Sequence, residues 1–293
     1  ILLAAVDRAG FYGLMTRSAG PPIRGGESAA MVRFGPSPVT CLDDRFDILV
    51  GLDWHNIGRF LDEIPLDGRS LVLTDPAEGA VPPEILATGA LILELPLKTL
   101  AAAIPGGRLN MAALGAVGAI AGLPREALEA EARVALGKKG ESLAAAAVAC
   151  IHAGYAAAPA RAIATGTTGE RWNLSGNEAS GLGALRGGVR FVAAYPITPA
   201  TEMLEWLAPR LDKVGGGLLQ AEDELASVNM IIGGSFGGVP SLTATSGPGL
   251  SLMMEGLGLA VTSETPVVVA NVMRGGPSTG IPTKSEQSDL NIA

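Results

Sequence analysis

Glu222-Asp223-Glu224 places three consecutive carboxylates immediately before the apolar stretch Leu225-Ala226-Ser227-Val228. Acidic residues that open a helix complement its partial positive charge. A carboxylate that is also partly buried and bonded to a ring nitrogen can serve as an acid or base. Three further segments carry chemistry of their own. Tyr195-Pro196-Ile197-Thr198-Pro199 holds a threonine hydroxyl between two prolines, each of which fixes its own φ and biases its neighbour towards extended geometry. Thr243-Ala244-Thr245-Ser246-Gly247-Pro248-Gly249 combines small side chains with free amides, so a ligand can approach the backbone closely. Arg274 follows an apolar run and opens Arg274-Gly275-Gly276-Pro277-Ser278-Thr279-Gly280, where a guanidinium can fork onto a carboxylate. Taken singly, the four segments also read as a helix cap, a rigid connector, a tight turn and a surface ion pair.

The elements around them favour chemistry. Hydrophobic periodicity predicts helices at 177–186, 199–210, 224–233 and 250–261, alternating with strands at 189–194, 217–221, 240–245 and 266–272. Such alternation predicts a parallel sheet with helices on both faces. Each polar segment then follows a strand, so all four fall at the edge where open α/β sheets bind ligands. Two glycine patterns imitate other enzymes and fail on context. Gly181-Leu182-Gly183 with Gly187 lies after a helix and before a strand, the reverse of a dinucleotide fingerprint, and reads as close helix packing. Gly233-Gly234-Ser235-Phe236-Gly237 satisfies G-x-S-x-G, but Ser235 lies between helix and strand, and both histidines, His55 and His152, precede it. No phosphate-binding G-x-x-x-x-G-K-[ST] occurs.

The first half also reads as α/β. Short apolar runs at 47–52 and 70–74 predict buried strands, and residues 110–121, 125–136 and 140–156 predict helices. Residues 157–175 lose periodicity and collect Pro, Gly, Thr and Arg, as a linker does. Ile1-Leu2-Leu3-Ala4-Ala5-Val6 reads as the middle of a helix and Asn291-Ile292-Ala293 ends as abruptly, so a piece of a longer polypeptide is expected. The 293 residues suit two domains, each able to bury its own core. With 48% hydrophobic and 17% charged residues the chain reads as globular, and 40 glycines with 4% aromatics imply close helix–sheet packing. A net charge of −8 argues against a nucleic-acid footprint, while a local basic patch could still meet a small acidic redox partner. No apolar run is long enough to predict a membrane span. Cys41 and Cys150 are far apart and form no C-x-x-C pair, so any iron–sulfur cluster is expected on another chain. Two isolated cysteines do not make a disulfide framework, which fits a cytoplasmic location.

Together the segments resemble the α chain of 2-oxoacid:ferredoxin oxidoreductases. The matching text is Gly176-Asn177-Glu178-Ala179, Tyr195 to Pro199, Glu222 to Glu224, Thr245 to Gly249, Arg274 to Gly280 and Glu286-Gln287-Ser288-Asp289-Leu290. Residues 1–157 resemble the family's γ domain more weakly, chiefly through Arg24-Gly25-Gly26-Glu27-Ser28. The resemblance implies a γ-type α/β domain at 1–157, a linker at 158–175, and at 176–293 a thiamine-enzyme pyrimidine-binding domain with a parallel sheet. It implies thiamine diphosphate with Mg2+, and CoA-dependent, reversible oxidative decarboxylation of a 2-oxoacid to an acyl-CoA and CO2. Electrons would leave through iron–sulfur clusters to ferredoxin.

In such enzymes a glutamate hydrogen-bonds the pyrimidine ring and favours the imino tautomer that deprotonates the thiazolium carbon. Glu224 takes that role here, because it lies nine residues before Gly233, the spacing the family keeps to a helix-closing glycine. Thr198 and Arg274 match residues that bind the 2-oxo and carboxylate end of the substrate. Tyr195, Pro196, Ile197, Ser246, Gly247 and Pro248 match cofactor-binding positions. Ala200 departs from the usual serine, with Thr198 and Thr201 retained on either side. The diphosphate-and-magnesium motif, Gly-Asp-Gly, is absent from the chain. A β subunit is therefore expected to bring that motif and a [4Fe-4S] cluster, in a dimer of αβ heterodimers. The fused arrangement favours 2-oxoglutarate; pyruvate, broad 2-oxoacid or indolepyruvate specificity are the alternatives. A non-catalytic relative would have lost Glu224, Thr198 or Arg274, and all three are present.

Overall fold

The computed structural model describes residues 1–19, 28–55, 57–59, 61–162, 166, 167, 169 and 171–274. The readings placed on residues 24–27, 275–283 and 286–290 lie outside the described residues. The chain divides into two compact units, the first of Ile1–Arg17 and Ala29–Asn173, the second carrying the residues from Leu174 on.

In the first unit, helix α1 (Leu2–Arg8) leads to a two-stranded sheet of β1 (Tyr12–Ala19) and β2 (Ser28–Gly35). The strands β3 (Ile48–Gly51), β4 (Leu71–Thr74) and β5 (Leu91–Glu94), with the short helix α2 (Pro83–Leu86) before β5, form a three-stranded sheet. It is parallel, with Ile48 opposite Leu71 and Leu71 opposite Leu91. Helices α3 (Leu97–Ala102), α4 (Leu109–Ala121), α5 (Arg125–Gly137) and α6 (Glu141–Ala157) complete the unit. The core joins Leu73 of the sheet to Leu97, Ala112, Ala116, Ala119 and Cys150. Glycine sets the spacing of α4 and α6: a Cβ at Gly115 would stand 2.8 Å from the Ile151 carbonyl carbon, and one at Gly154 2.7 Å from that of Ala112. Backbone-to-backbone approach replaces the aromatic packing that this composition cannot supply.

The second unit runs α7 (Gly176–Arg186), β6 (Phe191–Ala194), α8 (Thr201–Leu211), β7 (Gly217–Gln220), α9 (Glu224–Phe236), β8 (Ser241–Thr245), α10 (Gly247–Thr262) and β9 (Val268–Asn271). The four strands lie in the order β7-β6-β8-β9, every pair parallel, with Phe191 opposite both Gly217 and Ser241, and Thr245 opposite Asn271. Successive strand side chains point to opposite faces. Val192 accordingly packs with Met203, Leu204 and Leu207 of α8, while Phe191 lies against Gly234 of α9. On the α9 side, Val228 and Ile232 pack with Met253 and Ala260 of α10. Every residue of β8 is buried, as a central strand covered on both faces requires.

Two helix ends differ by three residues from those the periodicity predicts. Helix α10 starts at Gly247, because proline and glycine are tolerated in a first turn whose N–H groups have no helical partner. Helix α9 continues through Gly233 to Phe236 and is closed by Gly237. Of the two decoy motifs, the first resolves as expected, while the serine of the second lies within the longer α9 and not between helix and strand. A Cβ at Gly181 would sit 2.8 Å from Trp206 Cε3, the signature of close helix packing. Ser235 lies inside α9 and donates its hydroxyl to the Pro266 carbonyl. Among the described residues, no helix is long and apolar enough to cross a membrane.

Candidate active site

The chain leaves β6 towards β7 on one side and returns to β8 on the other, so the loops after β6 and β8 part at the carboxyl edge. That divergence is where open parallel sheets hold ligands. Glu224 and Ser246 sit at helix starts, Thr198 lies in the turn between β6 and α8, and Arg274 follows β9.

Of the three consecutive acids, only Glu224 is buried, at 7% exposure; Glu222 and Asp223 face solvent. Asp223 performs the capping, with extended backbone and Oδ1 accepting the Ala226 N–H at 2.7 Å. The Ser227 hydroxyl donates to the Asp223 carbonyl at 2.7 Å and pins the same turn. Glu224 is thereby left as the first helical residue with its carboxyl turned inward. It occupies space that Gly249 leaves open: a Cβ there would stand 2.7 Å from both Glu224 Cγ and Oε1, and would strike Thr245 Oγ1. A buried carboxyl group is costly unless something bonds to it, so its position at a sheet edge points to a ligand.

Beside it, Ser246 is the N-cap of α10, wholly buried, and its Oγ has no hydrogen-bond partner among the described residues. Gly247, Pro248 and Gly249 form the first helical turn. The Val272 N–H donates to the Thr245 carbonyl at 2.8 Å, which keeps the end of β8 fixed against the segment leading to Arg274.

The β6 loop is held from two sides. The Thr198–Pro199 peptide is cis. Arg274 is buried, at 7% exposure, and its Nη1 donates to the Thr198 carbonyl at 3.0 Å. Asn177 Nδ2 donates to the Pro199 carbonyl at 3.1 Å and to Glu202 Oε2 at 3.3 Å. Asn177 itself stands on a fixed helix start, where Ser175 and Glu178 form a reciprocal capping box. The Thr201 N–H donates to the Ile197 carbonyl at 3.0 Å, and Ile197 packs on the unit's core. Thr198 and Tyr195 remain exposed, and Pro196 is half-buried.

The structure thus gathers Thr198 with Arg274, and Glu224 with Thr245 and Gly249, at one edge of one sheet. Arg274 meets the threonine's backbone carbonyl in addition to whatever its guanidinium could offer a ligand. Two residues escaped assignment from the sequence. Thr245 carries a signal, since it lies within the glycine-rich segment; Asn177 meets Pro199 from an element that periodicity alone does not bring near. Among the described residues, no group of three or more His, Cys, Asp or Glu side chains is placed to hold a metal ion.

Comparison with known proteins places this geometry in context. Residues 1–157 match the family model described as pyruvate ferredoxin/flavodoxin oxidoreductase. Residues 182–293 match that of pyruvate flavodoxin/ferredoxin oxidoreductase, thiamine diphosphate-binding. The chain is 53% identical over 117 residues to 2-oxoglutarate synthase subunit KorA of Methanocaldococcus jannaschii, covering 40% of this chain and 32% of the relative. It is 49% identical over 132 residues to 2-oxoacid:ferredoxin oxidoreductase 1, subunit alpha, of Sulfurisphaera tokodaii, covering 41% and 21%. The chain is similar, over 100% of its length, to a solved 2-oxoglutarate:ferredoxin oxidoreductase of Magnetococcus marinus with 2-oxoglutarate, coenzyme A and succinyl-CoA bound, at a TM-score of 0.82 and 37% identity. The matched stretch is a third or less of these curated relatives, and the chain covers 52% of the solved one.

Proposed function

The chain belongs to the pyruvate ferredoxin/flavodoxin oxidoreductase family, and from that membership we propose that it is the catalytic α-type portion of a 2-oxoglutarate:ferredoxin oxidoreductase. The reaction is CoA-dependent, reversible oxidative decarboxylation of 2-oxoglutarate to succinyl-CoA and CO2, with two electrons passed to ferredoxin. Residues 1–157 serve as the γ-type domain, 158–175 as linker and 176–293 as the pyrimidine-binding domain. A β subunit supplies the Mg2+ and diphosphate site and the [4Fe-4S] cluster. The whole works in the cytoplasm as a dimer of αβ heterodimers.

The observation that carries the reading is the buried carboxyl of Glu224, held in the space left by Gly249 in the first turn of α10, the helix whose N-cap Ser246 has a buried hydroxyl without a partner among the described residues. An aminopyrimidine fits that donor set, since its ring nitrogens and amino group complement one carboxyl and one hydroxyl. Glu224, Ser246 and the Gly247-Pro248 turn would hold the ring, with Tyr195, Pro196 and Ile197 at the rim. Thiamine diphosphate, when bound, supplies the carbon nucleophile and electron sink that decarboxylation of a 2-oxoacid needs. Glu224 holds and returns a proton at a carboxyl oxygen facing the ring, the role that burial suits. Thr198 offers its exposed hydroxyl as a donor to the 2-oxo or carboxylate oxygens. Arg274 supports the loop through the Thr198 carbonyl, and its fixed positive charge favours an anionic substrate nearby.

A broader 2-oxoacid range, pyruvate included, is the second reading, favoured by the similarity to the 2-oxoacid:ferredoxin oxidoreductase α subunits. The test is the holoenzyme of the full-length chain with its β subunit, assayed for CoA-dependent viologen reduction with 2-oxoglutarate, pyruvate and 2-oxobutyrate. The expected result is the highest kcat/KM with 2-oxoglutarate; equal values would establish the broader range. Glu224→Gln is expected to lower kcat by about 100-fold or more, the usual scale for losing a positioned acid–base group. Normal turnover in that variant would remove Glu224 from the mechanism.

A further inference from the structure

We infer that Asn177 is a positioning residue for Thr198, acting through the backbone on which the threonine stands. The inference rests on the reading of Thr198 as a substrate contact. Two successive carbonyls of the β6 loop are each held by a side chain from elsewhere in the unit: Thr198 O by Arg274 Nη1 at 3.0 Å, and Pro199 O by Asn177 Nδ2 at 3.1 Å. The Pro199 N atom carries no hydrogen and cannot tie the loop itself. Besides these two bonds, the Thr201 N–H to Ile197 carbonyl bond spans the threonine and ties the loop to the start of α8.

Asn177 is built for the task. Both hydrogens of its amide are used, one on Pro199 O and one on Glu202 Oε2 at 3.3 Å, so the group joins α7, the loop and the first turn of α8. The reciprocal capping box of Ser175 and Glu178 fixes the helix end on which Asn177 sits. Its second bond is to a carboxylate, which strengthens it and fixes which way the amide faces. An aspartate there would present a carboxylate to a carbonyl and to Glu202, so neither contact would survive. A displacement of the hydroxyl by about 1 Å is enough to cost on the order of 100-fold in rate.

The experiment is a double-mutant cycle in the αβ holoenzyme, with Asn177→Ala, Thr198→Val and the pair, read as kcat/KM for 2-oxoglutarate. Thermal midpoint and cofactor affinity are measured on the same preparations. Asn177→Ala is expected to lower kcat/KM at least tenfold with little change in midpoint or cofactor affinity, and the double variant to be no slower than Thr198→Val alone. Multiplicative losses in the double variant would overturn the inference, because Asn177 would then act independently of Thr198. So would an Asn177→Ala enzyme of normal kcat/KM beside a slow Thr198→Val enzyme, with the substrate role of Thr198 left standing. Normal kinetics in both would sink the role of Thr198 and the inference together.

Discussion

Gly249 matters for the atom it lacks. Its missing Cβ is the space in which the Glu224 carboxyl lies, and Thr245 Oγ1 closes the far side. Gly249→Ala would bring a methyl carbon to 2.7 Å from Glu224 Oε1, well inside contact distance, with neither Thr245 nor the β8 end free to retreat. The lighter consequence is for stability. Alanine gains on glycine in a helix by up to about 1 kcal/mol, which offsets much of an overpacking cost of about 1–3 kcal/mol. The heavier one is for chemistry, because the carboxyl proposed to face the ring is the flexible end that gives way. Gly249→Ala is therefore expected to lose at least about tenfold in kcat, the order expected for displacing an acid–base group, and to lower the urea midpoint as well, since its methyl also strikes Thr245 Oγ1. A variant that is destabilised but turns over normally would show that Glu224 does not depend on this space. Gly233 lacks any such constraint, with nothing near enough for a Cβ to touch. The residues of the site are thus distinguished by what surrounds them, and not by being glycine or glutamate.

At the scale of elements, helix packing is set by small residues and fastened by a few ion pairs. Between α5 and α6, Glu129 meets Arg133 at 3.1 Å on its own helix and His152 Nε2 at 3.2 Å across the gap. The Arg133 hydrogen bond first, and the His152 bond second, hold the Glu129 carboxyl below its ordinary value of 4.5. A carboxylate depressed in this way stabilises the fold above its unfolded pKa, and that contribution is lost as pH falls through the folded value. Because the group is partly solvated, the contribution is small, about 0.5 kcal/mol. Glu129→Gln should therefore unfold slightly more easily than the parent in urea at pH 7, with the gap closing below about pH 4. A gap that persisted in acid would assign the effect to packing of the side-chain stem.

Strands β6 and β8 carry the apolar runs that burial on both faces demands, while the more exposed β7 and β9 are readable from their regular alternation with helices. In contrast, β1 and β2 are interrupted by Gly13, Arg17 and Arg33, and β5 exposes Leu91 and Ile92 at a sheet edge, so none carries a clean period. The site divides likewise. Glu224 and Ser246 announce themselves through neighbouring residues, whereas Arg274 meets Thr198 and Asn177 meets Pro199 across separations of 76 and 22 residues. No local pattern encodes contacts of that length; they follow from the strand order.

For the whole molecule, the question is which chain holds the charged end of the cofactor. Thiamine diphosphate brings an aminopyrimidine at one end and a diphosphate at the other, and the site proposed on the described residues of this chain is for the first. The chain carries a net charge of −8 and no Gly-Asp-Gly, and among its described residues no group of three or more His, Cys, Asp or Glu side chains is placed to hold a metal ion. The net negative charge of the chain disfavours a diphosphate bound without a divalent cation, and to the ring the proposed site offers one carboxyl, one hydroxyl and a turn of backbone. The full-length chain by itself should then bind thiamine diphosphate weakly and with no dependence on Mg2+. Adding the β subunit should tighten binding by about 100-fold or more, equal to about 2.7 kcal/mol, and make it Mg2+-dependent. Calorimetric titration of the cofactor into the isolated chain and into the complex, each with Mg2+ and with chelator, separates the cases. Glu224→Gln should weaken binding in both, because the ring contact belongs to this chain; thiamine, which lacks the diphosphate, should bind the isolated chain about as well as the full cofactor does. Tight, Mg2+-dependent binding by the isolated chain would place the diphosphate site on this polypeptide and remove the need for a second subunit to complete it.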